Sequence, residues 1–186
     1  MKNVIKVSMP IVILLFLTAC GNTDTADNKK VNHEDHDTSK MNQTFDTITG
    51  SSVSLKDEKL NAVYQHYIHL TTALTNSDAA EAKIAANAIE AGAKEIEGGS
   101  AIITTAAKIT SAADIEAQRN AYSILSNNMI DLVKKSGLKS GELYVDYCPM
   151  ALNDKGASWL SNNKEIRNPY FGEKMMTCGE VKETIK

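Results

Sequence analysis

Apolar side chains recur at steps of three and four residues through the middle of the chain, and this period restricts the fold to packed helices. The first stretch begins after Ser54 and Asp57, which form a helix start signal, and stops at Asn76-Ser77. Its apolar positions are Leu60, Val63, Tyr64, Tyr67 and Leu74. The spacing predicts an amphipathic helix with one buried face.

Three further helices are predicted after this one. Asp78 and Glu81 form a capping-box pattern before a helix that ends at Gly98-Gly99. A short helix is expected over residues 101–109, and a longer one from about Ala113 to Lys135, with Gly137 as its C-terminal stop. Short connections favour antiparallel neighbours, so the predicted fold class is mainly all-α, an up-down helical bundle.

The character of the chain changes after Gly141. Leu143 to Tyr147 is typical of a short extended segment, and Asn153 to Gly156 and Asn168-Pro169 are turn signals. Half of the ten aromatic residues fall in this part: Tyr144, Tyr147, Trp159, Tyr170 and Phe171. We predict a loop-rich C-terminal lobe held by aromatic burial, with residues 54–186 forming a single domain.

The N-terminus has the organisation of a secretory signal. Lys2 and Lys6 precede an apolar run from Met9 to Leu17, which is too short to span a membrane. Leu17-Thr18-Ala19-Cys20 resembles the bacterial lipobox, in which the cysteine becomes the lipidated first residue. We expect residues 1–19 to be a signal peptide and Cys20 to anchor the protein in the cell envelope, on the extracytoplasmic, periplasmic side.

Residues 20–53 are polar and predict a flexible tether. Within it, His33 and His36 stand among carboxylates, a pattern typical of a solvated linker and less often of a weak metal site. Removing Lys2 and Lys6 with the signal shifts the formal charge from -3 to -5. Nucleic acid is therefore not an expected partner, because phosphate binding needs a basic face.

Soft sulfur donors are concentrated at two points of the C-terminal part. Cys148 and Met150 flank Pro149, and Met175 and Cys178 lie three residues apart near the end. Pro149 favours an extended Cys148, which would turn Cys148 and Met150 to one side. Thiolate and thioether ligands select Cu(I), and Ag(I) would fit the same donors. We predict a site for such an ion at Cys148, Met150, Met175 and Cys178.

A disulfide between Cys148 and Cys178 is the competing interpretation. Disulfides persist outside the cytoplasm, and these are the two cysteines that remain once Cys20 is lipidated. Such a bridge would stabilise the lobe by about 3 kcal/mol and would remove both thiolates from metal chemistry. The protein would then be an envelope interaction module without metal. The nearby methionines favour the metal site slightly, because a disulfide does not need them.

The same residues carry a resemblance to a known family. The segments that match its pattern are Tyr147–Ala151, Gly156 with Trp159–Ser161, Ile166–Gly172, and Met175 with Cys178-Gly179. They resemble a domain-of-unknown-function family, DUF3347-like, of bacterial envelope proteins. Its members occur as lipoproteins or are joined to the adaptor subunits of heavy-metal efflux pumps. The resemblance implies copper handling, with an efflux adaptor as a partner.

Two other patterns carry less weight. His66 and His69 lie three residues apart on the first predicted helix, beside its apolar stripe, and solvent-facing or hydrogen-bonded side chains are favoured over a metal pair. The chain has no Gly-rich phosphate loop and no nucleophile elbow. We therefore do not expect an enzyme.

Overall fold

The computed structural model describes residues 53–186. The predicted signal peptide, the lipidated Cys20, the histidines His33 and His36 and nearly all of the tether lie outside the described residues. Those predictions therefore remain predictions. None of the helices within residues 53–186 is long and apolar enough to cross a membrane.

Four long helices contain half of the described residues, and the mainly helical prediction is confirmed. They are α1 (Glu58–Thr75), α2 (Ala79–Ala93), α3 (Ser100–Ser111) and α4 (Ile115–Ser136). Each helix contacts the next one along the chain, and α1 also contacts α4. The second helix ends at Ala93, five residues before the predicted stop at Gly98, and the intervening residues form turns.

Aspartate side chains begin three of these helices. Asp57 accepts from the backbone N–H groups of Lys59 and Leu60, and Asp78 does the same for α2. Asp114 accepts from the N–H of Ala117. Such caps satisfy backbone donors that the helix leaves without partners. Of the two residues in the predicted start signal, Asp57 is the cap, whereas Ser54 lies in a strand and pairs with another one.

The end of α4 leads into the first of two small antiparallel sheets. Gly137, as predicted, ends the helix, with φ of 77°. Strand β1 (Ser54–Leu55) then pairs with β2 (Leu138–Ser140). This contact joins the start of the described chain to the end of the longest helix.

The C-terminal part contains more strand than the predicted loop-rich lobe. Strand β3 (Leu143–Cys148) confirms the extended segment, but β4 (Ala157–Ser161) and β5 (Glu180–Ile185) were not predicted. They form an antiparallel sheet in the order β4-β3-β5. A 3₁₀ turn at Gly172–Met175 lies between β4 and β5. The prediction failed because β5 is charged and exposed, and its strand structure depends on pairing with the distant β3.

Tyrosine hydroxyl groups join the sheet to the helices. The Tyr67 hydroxyl accepts from the backbone N–H of Leu160 at 2.9 Å and from the Tyr122 hydroxyl at 2.9 Å. Tyr170 donates to the carbonyl oxygen of Ser158 at 2.8 Å. These bonds satisfy backbone groups of β4, an edge strand whose polar atoms would otherwise be open to another chain.

The predicted aromatic burial is confirmed for part of the set. Trp159, Tyr170 and Tyr144 are buried, whereas Tyr147 and Phe171 are half-buried. The rings of Trp159 and Tyr170 meet edge to face with centroids 6.0 Å apart, and Tyr170 in turn contacts Tyr122 of α4 at 5.6 Å. Aromatic pairs of this kind add packing energy beyond the area they bury. The sheet is therefore held against the helices by a continuous aromatic core.

Candidate functional site at the Cys148–Cys178 pair

The two cysteines of the C-terminal part meet although 30 residues separate them in sequence. Cys148 is the last residue of β3 and is completely buried, and Cys178 stands just before β5 and is half-buried. Pairing of Tyr147 with Glu180 brings the start of β5 beside the end of β3. The Cys148 and Cys178 Sγ atoms lie 2.8 Å apart, within hydrogen-bonding distance as two thiols.

Asn168 fixes the backbone on which Cys178 stands. The Asn168 side-chain amide donates to the carbonyl oxygen of Cys178 at 2.7 Å, and its backbone N–H donates to that of Met176 at 2.8 Å. The N–H of Cys178 donates to the carbonyl oxygen of Met175 at 3.1 Å. Asn168 is itself completely buried. The backbone of Cys178 is therefore held on both sides, and its sulfur moves chiefly by rotation of the side chain.

The sequence identified Asn168 only as a turn signal, because its partners depend on the folded loop.

The hydrogen bond between the thiols has an electrostatic consequence. Contact with Cys148 raises the pKa of Cys178 to about 11, and desolvation acts in the same direction. At neutral pH the two thiols therefore do not both lose their protons unless another cation takes their place. A bound cation can do so, because metal binding to thiols displaces their protons.

A buried carboxyl group, not identified from the sequence, lies on the same strand as Cys148. Asp146 and Cys148 are two residues apart on β3, so their side chains leave the same face of the strand. Asp146 is completely buried, and neither of its carboxylate oxygens accepts a hydrogen bond from the described residues. Desolvation raises the pKa of Asp146 to about 7. Its strand partners are Trp159 on β4 and Val181 on β5.

Met150 does not share the geometry predicted for it. Strand β3 ends at Cys148, and Met150 has helical backbone angles, with φ of −85° and ψ of −9°. The alternation argument therefore does not extend to Met150, whose side chain is 47% exposed. The turn that follows is strained, because Leu152, Asn153 and Asp154 all have positive φ near 60°.

Met175, unlike Met150, is joined to one of the two cysteines by a backbone hydrogen bond. It is half-buried at the end of the 3₁₀ turn, and its carbonyl oxygen bonds to Cys178. Within residues 53–186, no group of three or more His, Cys, Asp or Glu side chains is arranged so that it could hold a metal ion. A third ligand for an ion at the two thiols would therefore be a methionine sulfur or an external donor.

The histidine pair on α1 is exposed. His69 Nε2 lies 2.8 Å from Glu81 Oε1 of α2, which supports the hydrogen-bonded interpretation over the metal one. His66 is also exposed.

A groove of about 730 Å³ lies between α1 and the end of β4. Its lining includes Thr71, Thr75, Tyr144, Trp159, Lys164 and Arg167, and neither cysteine is part of it. It is separate from the thiol site.

Comparison with known proteins found a similarity to one described family, in the helical part of the chain and not at the thiol site. Residues 63–141 match the family described as "Protein of unknown function (DUF3347)". This region is thus similar to the family that the sequence resembles, and the segments that carried the resemblance, from Tyr147 onward, lie outside the match. The match covers α2, α3 and α4 and most of α1, and it ends before Cys148. No curated protein and no solved structure matches the chain.

Proposed function

We propose that the protein is an extracytoplasmic, lipid-anchored module that binds Cu(I) or Ag(I) in copper efflux or homeostasis. The observation that carries this proposal is the approach of Cys148 and Cys178 to 2.8 Å. Two thiols that converge from distant segments offer the soft donors that such ions prefer. The raised pKa of Cys178 means that an ion must displace a proton from this thiol, so binding should weaken as the pH falls.

Binding requires a small opening of the pair. Thiolates bind Zn²⁺ at about 2.3 Å, and the same distance would place two sulfurs on one ion about 3.8 to 4.6 Å apart, depending on the angle between them. The Sγ atoms lie 2.8 Å apart, so they must separate by about 1 to 2 Å. Rotation of the half-buried Cys178 side chain supplies this movement, while Cys148 stays fixed in the strand.

The methionines take unequal roles in this proposal. Met175 is the third donor, because it is half-buried in the turn that carries Cys178. Met150 is exposed, so its sulfur is the first donor that an incoming ion meets. The partner that exchanges the ion with this site is an efflux adaptor protein. The scaffold is an up-down arrangement of the four helices, supported by the contacts of each helix with the next and of α1 with α4.

Titration of the reduced protein with Cu(I), in competition with a chelator, tests the site. Cys148→Ser and Cys178→Ser should each abolish Cu(I) retention. Met175→Ala should weaken it, and Met176→Ala, a change in a half-buried neighbour, should leave it unchanged. Unchanged stoichiometry in both cysteine variants would rule the site out.

A second candidate is an interaction module in which Cys148 and Cys178 form a structural disulfide. The observation that favours it is the same 2.8 Å distance, since it is shorter than the separation of two thiolates on one ion. Counting thiols in the denatured protein, purified without reductant, separates the two functions. Two free thiols in the segment support metal capture, and none supports the disulfide.

A further inference from the structure

We propose that Cys148 and Cys178 form a thiol–disulfide exchange centre, in which Cys178 is the sulfur that reacts with an external dithiol and Cys148 is the internal, resolving sulfur. This activity goes beyond metal binding and does not depend on it. It would also regulate the metal site, because only the dithiol form can bind an ion.

The difference in burial between the two sulfurs assigns their roles. Cys148 is completely buried at the end of the central strand β3, with Ala157 of β4 opposite it and also buried. Cys178 is half-buried in the turn before the exposed edge strand β5. Exchange proceeds by attack of a thiolate on an accessible sulfur, so an external thiol reaches Cys178 first.

The approach of the two thiols supplies the second requirement. A resolving cysteine must reach its partner without unfolding, and the Sγ atoms are already 2.8 Å apart. The strand pairing of Tyr147 with Glu180 and the bond from Asn168 to the Cys178 carbonyl hold the two backbones together. The pair can therefore close and open while the sheet stays intact.

The reaction balances with a dithiol as the co-reactant. A thiolate of the dithiol attacks Cys178 Sγ in the disulfide form, the bond between Cys178 and Cys148 breaks, and its electron pair goes to Cys148, which takes up a proton. The second thiol of the partner then attacks the mixed disulfide and releases Cys178 as a thiol. The protein disulfide is reduced to two thiols, and the partner dithiol is oxidised to a disulfide.

Mixed-disulfide formation with glutathione disulfide, in the native protein with metal chelated, tests the assignment. Cys148→Ser should form the adduct at Cys178. Cys178→Ser should react at Cys148 slower by about a factor of 100, because a completely buried thiol reacts only through local opening. Denaturant should remove the difference. Equal native rates in the two variants would overturn the assignment.

Wild-type protein provides a test that does not depend on how the variants fold. The oxidised protein is treated with reduced glutathione, quenched early, and mapped for glutathione adducts. Adducts at Cys178 support the proposal. Adducts mainly at Cys148, or a disulfide that is reduced only in denaturant, refute it. Because no metal is present, these outcomes are independent of the Cu(I) titration.

Discussion

Replacement of Asp146 by asparagine should change how the stability of the protein depends on pH. The Asp146 carboxyl group is completely buried, and neither oxygen accepts a hydrogen bond from the described residues. Desolvation raises its pKa from 3.8 to about 7. Since one pKa unit corresponds to about 1.4 kcal/mol, ionised Asp146 destabilises the folded state by about 4 kcal/mol. Asparagine has nearly the same shape and no charge.

The direction of the pH dependence of stability follows from which state, folded or unfolded, holds the Asp146 proton. Between pH 3.8 and about 7, folded Asp146 holds a proton that the unfolded chain has released. Stability therefore falls as pH rises through this window, by about 1.4 kcal/mol per pH unit at most, and is constant above it. Asp146→Asn lacks this loss. Its stability relative to wild type should rise from near zero at pH 4 to about 4 kcal/mol at pH 8.

Urea denaturation of both proteins from pH 4 to pH 8, with the cysteines in the same redox state, measures this difference. Asp131→Asn is the matched control, because Asp131 is exposed on α4 and its removal should not produce the trend. The contributions of the other titrating groups cancel when the unfolding free energy of wild type is subtracted from that of the variant. A difference between wild type and Asp146→Asn that stays constant over the whole range would refute the reasoning.

Two further pairs of substitutions test the packing around the sheet. Tyr67→Phe should lower the free energy of unfolding by about 1 to 3 kcal/mol, because a buried backbone N–H of β4 loses its acceptor. Tyr64→Phe should be neutral or slightly stabilising, because the buried Tyr64 hydroxyl has no hydrogen-bond partner among the described residues. Gly156→Ala should cost about 1 to 3 kcal/mol more than Gly98→Ala. Both glycines have φ near 77°, but only at Gly156 would the added Cβ lie 2.0 Å from Tyr147 Oη. Thermal and urea unfolding check both pairs, and equal losses within either pair would contradict the corresponding contact.

The helices could be predicted from the sequence because their signals are local. Asp78 caps α2, as its capping-box pattern with Glu81 predicted, and Gly137 ends α4. The apolar positions Leu60, Val63 and Leu74 are all buried. The largest boundary error is at the end of α2, where the chain turns after Ala93, before it reaches the glycines at 98 and 99.

The sheet could not be predicted as well, because its strands are stabilised by distant partners. Glu180–Ile185 contains two glutamates and a lysine, residues that are depleted in strands, and all but the last position are exposed. Its strand structure depends on pairing with β3, more than 30 residues earlier. The burial of Asp146 also depends on distant partners, because β4 and β5 pair with β3 on both sides. From the sequence alone, an aspartate in the middle of a strand is expected to face solvent.

The sequence predicted the positions of the two cysteines of the metal site better than that of Met150. Cys148 and Cys178 meet, as both interpretations of the sequence required. The alternation expected for Met150 depended on β3 continuing past Pro149, and the strand stops at Cys148 instead. Proline explains both results, because it favours an extended residue before it and lacks the N–H that the next strand pairing would need.

Two of the unfavourable features of the domain lie next to Cys148 in the chain. Asp146 is buried without a hydrogen-bond partner two residues from Cys148, and the strained turn with positive φ at Leu152, Asn153 and Asp154 begins four residues after it. By contrast, three of the four helices begin with side-chain caps. Local strain and unsatisfied groups persist where surrounding structure enforces them, and they concentrate at functional sites. The turn at residues 152–154 and the buried Asp146 flank Cys148 on its two sides, and a disulfide between Cys148 and Cys178 would need neither of them.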